Sequence, residues 1–173
     1  QVYRNGGVIA GTSAGASVMC ETMMVSGNGD QSHRLGDTIQ MAPGFGFING
    51  VVIDQHFAER GRVGRLLGVI AQNPKNIGLG IDENTAIVVE NEREFYVLGE
   101  GATYVIDCRD VTDSNIAEEA KDKTLSVYDV RMHLLSQGDS FDLRDRRPKT
   151  LSKQQIRERI PPTQSNLRKG ASH

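Results

Sequence analysis

The stretch Val8-Ile9-Ala10-Gly11-Thr12-Ser13-Ala14-Gly15-Ala16 decides how this chain is read. A short apolar run stops at Gly11, and a Gly-x-Ser-x-Gly turn follows. Apolar residues at Ala14, Val18, Met19 and Met23 then predict a helix over residues 14–24. A serine between a buried strand and a helix is the pattern of a nucleophile elbow. The turn is so sharp that only small residues fit beside the serine, and Gly11, Ala14, Gly15 and Ala16 all qualify. The Ala14 amide would open the helix, where its N–H and the helix dipole face a developing oxyanion. The alternative is a tight turn in which Ser13 merely caps the helix.

Downstream, strands and helices alternate. Val51-Val52-Ile53 reads as a strand ending at Asp54-Gln55-His56. Residues 57–72 read as a helix with Val63, Leu66, Leu67 and Ile70 on one face. Gly78-Leu79-Gly80-Ile81 is a further strand, leading into Asp82-Glu83-Asn84. The polar, glycine-rich residues 26–37 and 41–50 read as loops. Residues 86–89 and 95–98 pair across a turn, and residues 103–108 and 125–135 complete the strands. A short exposed helix is expected within residues 110–123 and another over residues 154–160. Alternation of this kind predicts an α/β fold with a parallel sheet, followed by closer, antiparallel strands.

A nucleophilic serine needs a base. Of the four histidines, His173 is terminal, His33 lies in a polar loop and His133 falls inside a late strand. His56 ends a buried strand, on the rim where α/β sheets gather their active groups. Asp82 and Glu83 end the next strand on the same rim, and either could orient the imidazole. The order serine, histidine, acid differs from that of the α/β-hydrolases. Between base and acid lie Arg60, Arg62 and Arg65. Arginines there can hold a substrate carboxylate by paired hydrogen bonds, or simply coat a solvated helix face.

Bulk properties narrow the classes. The 173 residues suit one domain. No apolar run is long enough for a membrane span. The two cysteines, Cys20 and Cys108, form no disulfide framework; as buried thiols they lean toward a reducing, cytoplasmic setting. No His/Cys cluster has metal-ligand spacing, so neither a metal nor another cofactor is expected. Residues 144–173 hold nine Lys/Arg against two Asp/Glu, a net of +7, so the preceding 143 residues carry −9 of the overall −2. This stretch lacks aromatic residues to stack on bases, so a solvated, extended or partly disordered tail is expected in place of a nucleic-acid arm. The chain opens at Gln1, close to the elbow strand. It therefore reads as the C-terminal part of an α/β hydrolytic domain (residues 1–143) followed by a basic tail (residues 144–173).

Three blocks carry a family resemblance. Gly11-Thr12-Ser13-Ala14-Gly15-Ala16 resembles the nucleophile motif of the serine peptidase family that includes cyanophycinases and aspartyl dipeptidase. Asp54-Gln55-His56-Phe57, with Arg60-Gly61-Arg62 and Gly64-Arg65-Leu66, resembles its histidine block. Residues 78–86 resemble its acid block. The resemblance implies Ser13 as nucleophile, His56 as base and Glu83 as orienting acid, with Asp54, Gln55, Arg60, Arg62, Arg65 and Asn84 lining the substrate pocket. It implies a fold similar to class I glutamine amidotransferases, which is flavodoxin-like with a mostly parallel sheet, and a homodimer. The implied activity is serine exopeptidase cleavage of cyanophycin, a polyaspartate bearing arginine on each side chain, to β-aspartyl-arginine dipeptides. Hydrolysis of aspartyl dipeptides and a non-catalytic α/β binding module are the alternatives. Neither nucleic acid nor membrane is an expected partner.

Overall fold

The computed structural model of the chain describes residues 1–26, 39–117 and 123–149, together with residue 155. Its elements are α1 (Ala14–Ser17), β1 (Thr22–Ser26), β2 (Gln40–Pro43), β3 (Val51–Gln55), α2 (Val63–Gln72), β4 (Ile77–Ile81), β5 (Thr85–Glu90), β6 (Glu94–Gly99), β7 (Thr103–Asp107), β8 (Arg131–Leu135), β9 (Ser140–Asp142) and β10 (Arg147–Lys149). A mixed sheet runs in the order β3-β4-β7-β8, an antiparallel sheet in the order β10-β9-β6-β5, and β1 pairs with β2.

The architecture is α/β, and the sequence explains its layers. β3 and β4 are buried along nearly their whole length, as strands covered on both faces must be. Val51 and Ile53 turn toward the second sheet, where they join Ile77, Leu79, Val97, Val105 and Phe141. Val52 turns the other way, into a cluster with Leu66, Val69 and Ile70 of α2 and with Phe57. β4 keeps glycine on that second face. A Cβ on Gly78 would sit 2.8 Å from Ile70, and one on Gly80 would collide with the Phe57 ring. Those two hydrogens let the helix and the ring lie flat on the strand. Full burial of Phe57 contributes about 2–3 kcal/mol.

Several expectations are corrected. Among the described strands only β3 and β4 pair in parallel, and the other ladders are the added antiparallel strands. Val8-Ile9-Ala10 is not a buried strand; Val8 is 90% exposed, and no described strand lies beside it to supply ladder bonds. The helix expected over residues 14–24 stops at Ser17. Glu21 donates to the Ile48 carbonyl and Gly44 to the Glu21 carbonyl, and β1 then zips onto β2, so strand pairing overrides the helical spacing of the methionines. The same pairing puts a strand inside the expected loop at residues 41–50.

α2 starts at Val63, because Gly61 and the turns before it are not helical. Its buried face is Arg65, Leu66, Val69 and Ile70, with Val63 exposed. Residues 110–117 form turns and a bridge at Ser114, residues 118–122 of the segment expected to hold a helix lie outside the described residues, and β8 begins only at Arg131. The pairing of residues 86–89 with 95–98 is present as β5 and β6. The basic stretch begins inside the second sheet: Arg147, Pro148 and Lys149 pair with β9. His33, the loop at residues 27–37 and the helix expected over residues 154–160 (apart from residue 155) lie outside the described residues.

Candidate active site

Ser13 sits at the mouth of α1 with φ +53° and ψ −120°. That backbone is costly for a residue with a Cβ and is found where the surrounding fold enforces it. Gly11 makes the turn possible, since a Cβ there would run into the Gly15 carbonyl. His56 (φ +49°) and Asn84 (φ +51°) are bent in the same sense just past the ends of β3 and β4. One left-handed residue thus follows β3 directly, and the other closes the turn between β4 and β5.

The three expected groups meet there. Ser13 Oγ lies 3.1 Å from His56 Nε2, and His56 Nδ1 lies 2.8 Å from Glu83 Oε1. With the Nδ1 proton donated to Glu83, Nε2 is the free lone pair that accepts the Ser13 proton. Gln55 Oε1 is a second acceptor for the serine hydroxyl at 3.4 Å. The imidazole is 29% exposed and the Glu83 side chain 52%, so the dyad opens to solvent. Asp82, the other acid at the strand end, is engaged elsewhere. It accepts from the Ala58 amide at 2.9 Å and from the Ala102 amide at 3.2 Å, closing the loops that frame the rim. As the first residue of α1, Ala14 has no acceptor for its N–H within the helix.

The arginines divide into two kinds. Arg60 is exposed and makes no ion pair among the described residues. Arg62 and Arg65 are only 8% and 7% exposed, not on the polar side of the helix start that their spacing suggests. Both point at Asp54, itself 1% exposed. Arg65 grips the carboxylate bidentately through Nε, at 2.7 Å, and Nη2. Arg62 Nη1 reaches Asp54 Oδ1 at 3.2 Å and also donates to the Gln55 carbonyl. The Gln55 amide completes the set, donating to Asp54 Oδ1 at 2.9 Å. Burial lowers the Arg62 pKa, and the neighbouring Asp54 charge partly restores it. The pocket roles expected for Asp54, Arg62 and Arg65 therefore meet an internal ion cluster with little surface. Asn84 and Arg60 remain at the surface of the rim.

Two contributors have no role assigned in the sequence reading. Glu59 accepts the Glu83 amide at 3.0 Å, and Phe57 anchors the base by donating its amide to the Ile81 carbonyl at 3.2 Å. Phe57 carries a faint signal, since a large apolar residue beside two strand glycines needs somewhere to pack; Glu59 carries none. An apolar recess lined by Ile9, Gly11, Gly15, Met19, Phe45 and Phe47 flanks the elbow and includes no member of the triad.

A serine, a histidine and a carboxylate in hydrogen-bonded line on the rim of an α/β sheet have the geometry of a serine hydrolase site. Comparison with known proteins agrees with that class. The profile of Peptidase family S51 matches residues 1–97. The chain is 38% identical over 144 residues to a cyanophycinase from Synechococcus elongatus, 83% of this chain and 44% of the relative. It is 40% identical over 139 residues to a cyanophycinase from Trichormus variabilis, 80% and 46% respectively. A cyanophycinase from Geminocystis herdmanii is 34% identical over 140 residues, 81% and 51%. The chain belongs to peptidase family S51. It spans about half the length of these curated relatives.

Proposed function

We propose that the chain carries the nucleophile, base and orienting acid of a serine exopeptidase that hydrolyses cyanophycin to β-aspartyl-arginine dipeptides. The observation that carries this reading is the unbroken line from Ser13 Oγ through His56 to Glu83, at 3.1 and 2.8 Å. The names of the relatives supply the substrate. In the reaction, Ser13 attacks the backbone carbonyl beside an aspartyl unit while His56 takes its proton and Glu83 steadies the imidazolium. The Ala14 N–H faces the oxyanion. His56 then protonates the leaving amine, and water attacks the acyl-enzyme with His56 again as base. Arg60 and the Asn84 amide, both exposed at the rim, are the groups available to a free aspartyl carboxylate.

The fold we infer for the whole protein is of the class I glutamine amidotransferase type, assembled as a homodimer. A cytoplasmic setting accords with two buried, unpaired cysteines whose thiols burial pushes up to about 11. No helix among the described residues is long and apolar enough to cross a membrane.

Incubating the protein with purified cyanophycin and following dipeptide release tests the reading. Ser13→Ala should lose on the order of 10⁴-fold or more in kcat while still binding the polymer. Retained turnover in that variant removes the nucleophile assignment. Cleavage of aspartyl dipeptides with cyanophycin left intact moves the substrate to the sister activity.

A further inference from the structure

We propose that Arg62, with Asp54 and Arg65 behind it, is a positioning residue that sets the angle of the His56 turn and makes no contact with substrate. The inference rests on the serine-hydrolase reading above and concerns how its base is aimed. The catalytic imidazole hangs from a residue with φ +49°, one position past the last ladder pair of β3, and its own carbonyl accepts from the Arg60 amide at 3.2 Å. A backbone bent this way keeps its angle only if something holds the peptide before it.

Arg62 does so from inside the fold. One nitrogen, Nη1, donates both to the Gln55 carbonyl and to Asp54 Oδ1, so the last two residues of β3 are clamped by a single atom. Arg65 fixes the Asp54 carboxylate in plane by its two-nitrogen fork, and the Gln55 amide donates to the same oxygen that Arg62 uses. The Gln55 peptide is therefore held at both ends. Its side chain accepts from Ser13 on one side, and its carbonyl leads into His56 on the other. The Arg62 backbone is tied in as well, its amide donating to the Phe57 carbonyl at 3.0 Å. The clamp thus spans the base from residue 54 to residue 65.

A substrate role fits poorly. Both guanidinium-bearing side chains are 9% exposed, against an Asp54 side chain at 1%. Arg62 Nε is buried and has no hydrogen-bond partner. A carboxylate seeking these cations would find Arg62 Nη1 and Arg65 Nε and Nη2 already engaged by Asp54 and the Gln55 carbonyl.

The test is Arg62→Lys, which keeps the charge and gives up the planar fork, compared with Arg65→Lys, which leaves the bond to the Gln55 carbonyl in place. Two readouts are needed on the full chain: steady-state hydrolysis of cyanophycin, and the rate at which a small neutral fluorophosphonate labels Ser13. The probe has no carboxylate to bind but needs an aimed imidazole. Thermal melts and near-UV circular dichroism show which variants fold. Arg62→Lys should lower kcat by roughly 10- to 100-fold, with KM within about twofold of wild type, and slow labelling by a similar factor. Arg65→Lys should slow labelling several-fold less for a comparable loss of melting temperature.

A KM raised tenfold at unchanged kcat and unchanged labelling overturns the proposal and returns Arg62 to the substrate. Equal slowing in both variants overturns it too, as does a folded Arg62→Lys that labels like wild type. If Arg62→Lys does not fold, Arg62→Gln, which can still donate to the Gln55 carbonyl, should label faster than Arg62→Met; equal rates overturn the proposal. Normal labelling without cyanophycin cleavage in the wild-type protein refutes the substrate alone and leaves the positioning role intact. Failure of the wild type to label at all overturns both.

Discussion

Asp54 and Asp142 are both 1% exposed, and each is gripped by two cations, yet the cations live in different places. Around Asp54 the partners Arg62 and Arg65 are themselves buried, at the edge that carries Ser13 and His56. Around Asp142, at the end of β9, the partners Arg93 and Lys149 are 51% and 40% exposed, and the nearest donors are the amides of Arg144 and Asp145, both at 2.9 Å. A buried carboxylate can thus be stabilised in two ways. One places the countercharge inside, where it depends on the anion. The other uses backbone dipoles, with the countercharge left in water. The first ties down the strand end that precedes His56, and the second closes a hairpin turn.

The largest expected effect breaks the first arrangement. Asp54→Asn leaves two buried guanidiniums facing each other without an anion, and should cost about 3–5 kcal/mol in urea denaturation. A loss below about 1 kcal/mol would mean that the arginines can reach solvent, and the contrast with Asp142 would fail.

Asp142→Asn should cost less, about 2 kcal/mol near neutral pH, and leave hydrolysis unchanged in the folded fraction. Burial alone would raise the pKa of Asp142. The Asp145 amide, Lys149, Arg93 and the Arg144 amide more than offset that and hold it at about 2. Because the folded value lies below the ordinary carboxylate value near 4, this stabilisation is complete above about pH 4. It disappears as pH falls through about 2, so wild type and variant should converge in acid. A gap that persists at pH 2 would assign the stabilisation to packing instead of charge.

The smallest effect sharpens the comparison by separating another acid response from that of Asp142. His133, on β8, packs against the Phe141 ring at 5.5 Å, and its Nε2 is buried without a partner. Burial lowers its pKa, Arg131 and Arg147 lower it further, and Asp107 opposes them. The unfolded chain then takes up the proton first. Stability should decline as pH drops below the ordinary histidine value near 6.5 and level off once the folded ring is protonated. His133→Phe should flatten melting temperature against pH in that window and leave the step near pH 2–4 untouched. An unchanged slope would place the titrating group elsewhere.

The sequence made the rim legible because its logic is local. Small residues around Ser13, a histidine ending one apolar run and an acid ending the next are readable without knowing the tertiary fold. Which acid faces the imidazole was open on the residues alone; Asp82 is held by the Ala58 and Ala102 amides, and Glu83 lies against His56. The fate of Arg62 and Arg65 was hidden for a different reason. Charged residues at a helix start are usually solvated, and only contact with Asp54, eight and eleven positions earlier, draws them inside. β9 and β10 were hidden because β9 holds a single large apolar residue and β10 none. Phe141 becomes core by lying against Phe95 across the sheet, with ring centroids 5.7 Å apart. β1 reads as helix in the sequence because methionine spacing favours it, and the bonds that win run to residues 40–48.

The parallel register of β3 and β4 pairs Gln55 with Ile81, so His56 and Glu83 emerge from adjacent rungs of one ladder. The reach between imidazole and carboxylate is consequently fixed by inter-strand spacing, not by the crossover through α2 that separates them along the chain. Insertions or deletions at the far end of that crossover, around Asn73 to Asn76, could accumulate over evolutionary time without detuning the proton path. What such changes would loosen instead is the Arg146 guanidinium, which donates to the Pro74 and Lys75 carbonyls and to Asp107.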